Sequence, residues 1–255
     1  MIRALLDLVL PLECAACRRP GTPWCRRCAA ALERLESAGG PGRVVPHPAP
    51  AGMPPTYAWG SYDEPLRSAI SAWKDEGRRD LAAVLAPLLA RSVDAALTAT
   101  GWSTDPVVLV PAPSSARACR ARGERPLHEL VRLVLATAPD RRPATRVAPV
   151  LSAGRAIADQ ARLGQRDRAR NLDRALLVEA RWAAVVAGRR CLLVDDVVTT
   201  GATLAESARA LHEAGASGVA AATVAATRRR HGGRRAGQRA SGTPERPASA
   251  VRPRG

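Results

Sequence analysis

The sequence predicts an α/β protein: a parallel sheet flanked by helices, with a small four-cysteine module in front of it. Three observations lead there. Short apolar runs of strand length alternate with longer segments of helical period along most of the chain. The stretch Cys191-Leu192-Leu193-Val194-Asp195-Asp196-Val197-Val198-Thr199-Thr200-Gly201-Ala202-Thr203 joins one such run to an acidic pair and a hydroxyl-rich loop, and a helical segment follows it. Near the start, Cys14, Cys17, Cys25 and Cys28 form two close pairs.

At 255 residues the chain can bury one sizeable core with a small appended module. It has no Phe, two Tyr and five Trp, so the core must be built from Ala, Leu and Val. Of the 39 basic residues only Lys74 is lysine, and the net charge is +16. Half of that excess sits in the last 28 residues, where nine Arg stand against one Glu. No run approaches about 18 uninterrupted apolar residues, so no transmembrane helix and no membrane partner are expected, and the chain reads as cytoplasmic.

The first ten residues are apolar but interrupted by Asp7, and no small-residue cleavage site follows, which argues against a signal peptide. Cys14-x2-Cys17 and Cys25-x2-Cys28 have the spacing of a knuckle in which four thiolates close a tetrahedral structural Zn2+ site; two disulfides are the alternative in an oxidising compartment. Residues 37–55 are rich in Gly and Pro without helical period and read as a linker. This divides the chain into an N-terminal helix and knuckle (1–36), a linker (37–55), a main domain (56–229) and a basic tail (230–255). The tail, Arg-rich and without apolar periodicity, reads either as a contact for nucleic acid or an acidic partner or as a solvated segment.

The main domain opens with a strand over 57–62 and a helix over 66–73, with Leu66, Ile70 and Trp73 on one face. Lys74 follows. A lone lysine in a chain that otherwise uses arginine suits a compact ammonium against a phosphate or pyrophosphate, or is an ordinary surface residue. Arg78 and Arg79 precede a long helix over 81–99. A strand over 107–110 is stopped by Pro111-Ala112-Pro113 and followed by Ser114, Ser115, Arg117, Arg120 and Arg122; a rigid turn beside guanidinium groups suits a diphosphate, or is a solvated basic turn. A helix over 124–138, a strand over 147–151 and a polar segment over 154–173 come next, the last reading as a mobile cover or an exposed helix.

The strand 191–194, the loop after it and the helix over 204–214 form a strand-loop-helix unit. Free N–H groups at the start of that helix, its dipole, and the hydroxyls of Thr199, Thr200 and Thr203 can converge on one anion, and a phosphate fits there. Asp195 and Asp196 stand at the carboxyl end of the strand, where ligands of open α/β sheets bind, and can accept hydrogen bonds from the vicinal hydroxyls of a sugar. An ordinary α/β turn is the alternative; a triphosphatase would need a G-x-x-x-x-G-K-[ST] loop, which the chain lacks. A strand over 219–227 closes the domain. None of the four His lies in a recognised constellation, and Cys119 and Cys191 read as ordinary thiols.

Residues 191–203 resemble, at every position, the 5-phosphoribosyl-1-pyrophosphate (PRPP) loop of type I phosphoribosyltransferases. The whole order of pieces, to about Arg229, is similar to the ComF family of phosphoribosyltransferase-like proteins. The matching pieces are the knuckle, Tyr62 with Leu66-Arg67 and Lys74, Gly77-Arg78 with Leu81-Ala82, Val110-Pro111-Ala112-Pro113 with Arg122-Gly123, and Gln160-x2-Leu163-x4-Arg168-x2-Asn171. After Gly123 the family usually has Phe-Asn-Gln, whereas this chain has Glu124-Arg125-Pro126, which bears on the pyrophosphate or acceptor side. The resemblance implies binding of PRPP with Mg2+ and transfer of ribosyl 5-phosphate to a nitrogen acceptor, or nucleobase salvage. It implies that Asp195 and Asp196 fix the ribose, that Val197, Val198, Thr199, Thr200, Gly201, Ala202 and Thr203 complete the PRPP site, and that Lys74, Ala112, Arg117 and Arg122 stand on the pyrophosphate side. A non-catalytic adaptor of competence and DNA uptake, binding single-stranded DNA or a helicase partner, is the alternative from a different class. A PRPP-responsive regulator ranks behind both, since no helix-turn-helix is visible.

Overall fold

The computed structural model describes residues 12–113, 126–136, 145–153 and 175–227. After the cysteine knuckle comes helix α1 (Arg26–Glu33), then strands β1 (Gly42–Val44) and β2 (Thr56–Ser61), helix α2 (Leu66–Asp75), a 3-10 turn at Arg79–Leu81 and helix α3 (Ala82–Ala99). Strand β3 (Val107–Pro111), helix α4 (Pro126–Ala136) and strands β4 (Arg146–Val147), β5 (Leu151–Ala153) and β6 (Leu176–Val178) follow. A short helix α5 (Ala183–Val186), β7 (Arg190–Val198), α6 (Ala202–Glu213) and β8 (Gly218–Ala226) complete the described chain.

The main sheet has the order β1-β2-β8-β7-β3-β4. From β2 to β4 every neighbouring pair is parallel, and only the edge pair of β1 and β2 is antiparallel. Parallel strands are covered on both faces, and their residues accordingly divide by period two. Leu192 and Val194 of β7 and Ala220, Ala222 and Val224 of β8 face a core formed with Leu66, Ile70 and Trp73 of α2, Leu85, Leu89 and Val93 of α3 and Leu130 of α4. Cys191 and Leu193 of β7 and Val219 and Ala221 of β8 face Leu204, Ala208 and Leu211 of α6 on the other side. The alanines of β8 leave room for α3 to lie close, which is how a core without phenylalanine fills its volume.

Residues 79–99 are long and apolar enough, by length and composition, to cross a membrane. That helix instead lies on β2 and β8 with half of its apolar window buried, so its hydropathy is accounted for by the core. The run 147–151, expected as one strand, is divided: Pro149 has no N–H to give a ladder, and the chain leaves β3 at Val147 to pair antiparallel with β6 from Leu151 onward. Residues 37–55, with the composition of a linker, contribute β1 to the sheet edge.

The knuckle is packed onto the domain. Ala15 and Leu32 belong to the main core and Trp24 packs against it. Arg78, held by Asp80 through Nε at 3.0 Å and Nη2 at 2.8 Å, donates from Nη1 to the carbonyl of Glu13 at 3.2 Å.

Candidate functional site

The site is a consequence of unequal strand lengths. The β3 ladder ends at the pair Pro111 with Val194, whereas β7 stays paired to β8 as far as Val198 with Ala226. Residues 195–198 therefore project beyond β3, and the acidic pair lies within the strand, with one edge bordering a cleft. Ala112 continues along that edge, its N–H donating to the carbonyl of Val194 at 2.8 Å.

The cleft holds about 520 Å³ and is lined by Asp195, Asp196, Val197, Thr199 and Thr203 from the β7–α6 unit, and by Ala112 and Pro113. Opposite stand Ile70, Trp73, Lys74 and Asp75 of α2, Tyr62 after β2, and Pro126 and Leu127 at the start of α4. One wall is acidic and hydroxylic, and the other sets the apolar Ile70, Trp73, Pro126 and Leu127 beside Lys74, Asp75, Ser71 and Tyr62. Such a cleft suits a ligand with a polar sugar or phosphate end and a flat, less polar end.

Asp196 is buried, and its Oδ2 lies 2.6 Å from Lys74 Nζ. Asp196 Oδ1 accepts the N–H of Val197 at 2.9 Å, and Asp195 Oδ1 accepts that of Asp196 at 2.9 Å. Burial pushes the Asp195 carboxyl well above the usual carboxylate range, and the neighbouring Asp196 charge pushes in the same direction; Lys74 opposes this only in part. Burial alone would lower the Lys74 ammonium, but Asp196, Asp195 and Asp75 outweigh it and hold the group above the ordinary lysine value. Tyr62 is raised by burial and by Asp196. The pair of acids is thus strained electrostatically and relieved by a cation, an arrangement common at ligand sites.

At the start of α6 the chain turns through Gly201, with φ +77° and no side-chain cap. A Cβ at Gly201 would lie 2.6 Å from Met53 Sδ and 3.2 Å from Pro46 Cγ, so the left-handed backbone favours glycine and any larger residue would also displace Met53. Apart from a 3.4 Å contact from the N–H of Ala202 to Thr200 Oγ1, no side chain caps the first N–H groups of the helix among the described residues, and N–H groups at a helix start are suited to receive an anion. Thr199 and Thr200 are exposed. Deeper along α6, buried Glu206 accepts the N–H of Leu176 at 2.9 Å and Arg209 donates to its carbonyl at 2.7 Å, tying β6 to the helix that the loop initiates.

The structure therefore gathers Asp195, Asp196, Val197, Thr199, Thr203, Lys74 and Ala112 in one cleft. Val198 and Thr200 line a separate cavity on the other side of the loop. Arg117, Arg122 and the neighbouring Ser114, Ser115, Cys119 and Arg120 lie outside the described residues, as do Gln160, Leu163, Arg168, Asn171, the first eleven residues and the basic tail. Trp73 and Ile70 were legible only as an apolar helix face, and nothing in the sequence singled out Leu127. Tyr62 carries one signal beyond its family match, since it is one of only two tyrosines.

Cys14, Cys17, Cys25 and Cys28 bring their four Sγ atoms within 4.8 Å of one another. All four are free thiols, with Cys17 and Cys25 Sγ 3.5 Å apart. Burial raises Cys14, but the backbone N–H groups of Cys17 and Cys25 outweigh it and lower the thiol to about 6. Four convergent sulfurs, one of them already favoured as thiolate, fit a structural zinc ion.

A family model described as the phosphoribosyl transferase domain matches residues 142–242. Two relatives, each described as DNA utilization protein YhgH, one from Salmonella typhimurium and one from Salmonella typhi, are 34% identical to the chain over 229 residues, covering 83% of this chain and 96% of each relative. A solved structure described as the allosteric regulatory enzyme of purine biosynthesis gives a TM-score of 0.32 at 19% identity, over 56% of this chain and 26% of that one. That likeness is too distant to carry an argument.

Proposed function

Because the chain belongs to the ComF family of type I phosphoribosyltransferase-like proteins, we propose that its cleft binds PRPP with Mg2+ and transfers ribosyl 5-phosphate to a nitrogen acceptor. The observation that carries this reading is the convergence of Asp195, Asp196, Lys74, Thr199 and Thr203 on one cavity at the carboxyl end of β7. The 5-phosphate lies on the N–H groups and hydroxyls at the start of α6, and the ribose hydroxyls donate to Asp195 and Asp196. Lys74 and the turn at Ala112 face the pyrophosphate. The carboxylates of Asp195 and Asp196 are hard oxygen donors of the kind Mg2+ takes, and when bound the ion offsets charge on the departing diphosphate.

In the reaction the bond from C1 of the ribose to the diphosphate oxygen breaks, the acceptor nitrogen bonds to C1, and its proton is released. The chain's part is electrostatic: Asp195 and Asp196 hold the ring as positive charge grows at C1, and Lys74 accompanies the departing anion. Ligand binding has a built-in driving force, because sugar hydroxyls donate to two acids whose mutual repulsion Lys74 relieves only in part.

A second reading is favoured by the description of the relatives as DNA utilization proteins. In it the site binds without turnover, and the chain is an adaptor for single-stranded DNA or a helicase partner. Release of diphosphate from PRPP, assayed with a panel of nitrogen heterocycles, separates the two. Turnover lost in Asp195→Asn supports transfer. Strand binding with a steep salt dependence, in a protein that releases no diphosphate with any acceptor, supports the adaptor and overturns transfer.

A further inference from the structure

Across the loop from the acidic cleft lies a larger cavity, of about 810 Å³, that the proposed transfer does not use. It opens at the carboxyl ends of three neighbouring parallel strands, with Ser61 of β2, Val198 of β7 and Ala226 of β8 in its lining. The segment after β1 supplies Val45, Pro46 and His47. Thr199 lines both cavities, so the loop that starts α6 is the partition between them, and an anion on that loop has space on either side.

The two cavities differ in charge. Asp75, Asp195 and Asp196 line the cleft, whereas among the described residues no carboxylate lines the larger cavity. Its polar groups are the hydroxyls of serine and threonine and the imidazole of His47, and Val45, 66% exposed, adds apolar surface. An acid-free wall of hydroxyls beside apolar surface suits a phosphate diester flanked by a sugar and a base, since hydroxyls donate to phosphate oxygens and carboxylates repel them. A site made only for a terminal 5-phosphate would need no such space.

We infer that the loop holds a phosphodiester as well as a terminal phosphate, and that the two cavities together take the 3′ end of a nucleic-acid strand. The terminal nucleoside lies in the cleft with its 3′-hydroxyl toward Asp195 and Asp196. Its 5′-phosphate lies on the loop, and the preceding nucleotide occupies the larger cavity. The direction follows from the order of the parts: sugar hydroxyls at the acids and 5-phosphate at the loop leave only the 5′ side of the strand to continue across it. This inference rests on the proposed reading of the loop as a phosphate site and adds where a strand lies and in which direction it runs.

The test is binding of a six-nucleotide single strand, labelled at its 5′ end, to the full chain and to Val45→Glu and Ser37→Glu, with PRPP and Mg2+ titrated in parallel. Ser37 and Val45 both line the larger cavity and neither lines the acidic cleft, so each substitution places a carboxylate in the larger cavity alone. The expected result is strand binding that PRPP displaces, that each substitution weakens about tenfold or more through like-charge repulsion, and that a 3′-phosphate on the strand weakens similarly. PRPP affinity of both variants should fall at least about fivefold less than strand affinity, since PRPP places no nucleotide and no further phosphate in the larger cavity. No strand binding, strand binding that survives saturating PRPP, or indifference to both substitutions, in a parent that binds PRPP, overturns the inference and leaves the phosphate-loop reading standing. A parent that does not bind PRPP overturns both.

Discussion

Replacing Lys74 by Met keeps the methylene stem and removes the ammonium 2.6 Å from Asp196. Asp196, whose side chain is 6% exposed, is then left beside Asp195 without that cation. Breaking a fully buried pair costs about 3–5 kcal/mol, and an exposed pair is worth about 0.2–1 kcal/mol. Lys74 keeps 42% of its side-chain surface in water, so the expected cost is intermediate, about 2 kcal/mol, or roughly 30-fold in the unfolding equilibrium. For a domain of this size that corresponds to a fall in Tm of about 4–8 °C. Urea unfolding of the parent, Lys74→Met, Asp196→Asn and the double variant gives the coupling directly. Lys74→Arg, which retains the charge, should lose much less. Coupling below about 0.3 kcal/mol would refute the reasoning, because the two groups would then not depend on each other in solution.

Asp195→Asn should stabilise the ligand-free protein at neutral pH while weakening PRPP binding. Its carboxyl is raised in the folded state, so the stability it contributes is present below the ordinary aspartate range and is lost as pH rises toward the raised value. The stability advantage of the variant, read from urea midpoints between about pH 4 and 8, should therefore grow with pH. Gly201→Ala carries a backbone cost of about 1–2 kcal/mol from φ +77° and forces Met53 to move, whereas Gly188→Ala, with φ +68° and open space around it, carries the backbone cost alone. Calorimetry should show PRPP affinity lost in the first variant and retained in the second. Purified protein should contain one Zn2+ per chain by metal analysis, and Cys14→Ser should lose it with a fall in Tm of several degrees, since Ala15 and Leu32 belong to the main core.

The parts of the site that were legible in the sequence are those written locally. The strand-loop-helix unit at Cys191 shows as an apolar run, two acids, a threonine-rich loop and a helical period, all within two dozen residues. The knuckle is likewise a matter of spacing between neighbouring thiols. What the sequence concealed was set by pairing between distant segments. That β7 runs through the acidic pair depends on Asp195 lying opposite Thr223, while the cleft depends on β3 stopping at Pro111. The strand in the Pro- and Gly-rich segment 37–55 exists because β2 is there to receive it, and Pro46 and Met53 over Gly201 follow from that docking. Lys74 was visible as an oddity of composition, but its partner was not, since Asp196 lies 122 positions away along the chain.

The most direct test of the account is calorimetric titration of PRPP with Mg2+ into the zinc-loaded protein and into the Asp195→Asn, Asp196→Asn double variant. The account predicts saturable binding by the parent at one site per chain and none by the folded variant. A folded, zinc-loaded parent that takes up no PRPP, or a double variant that binds as the parent does, would contradict it.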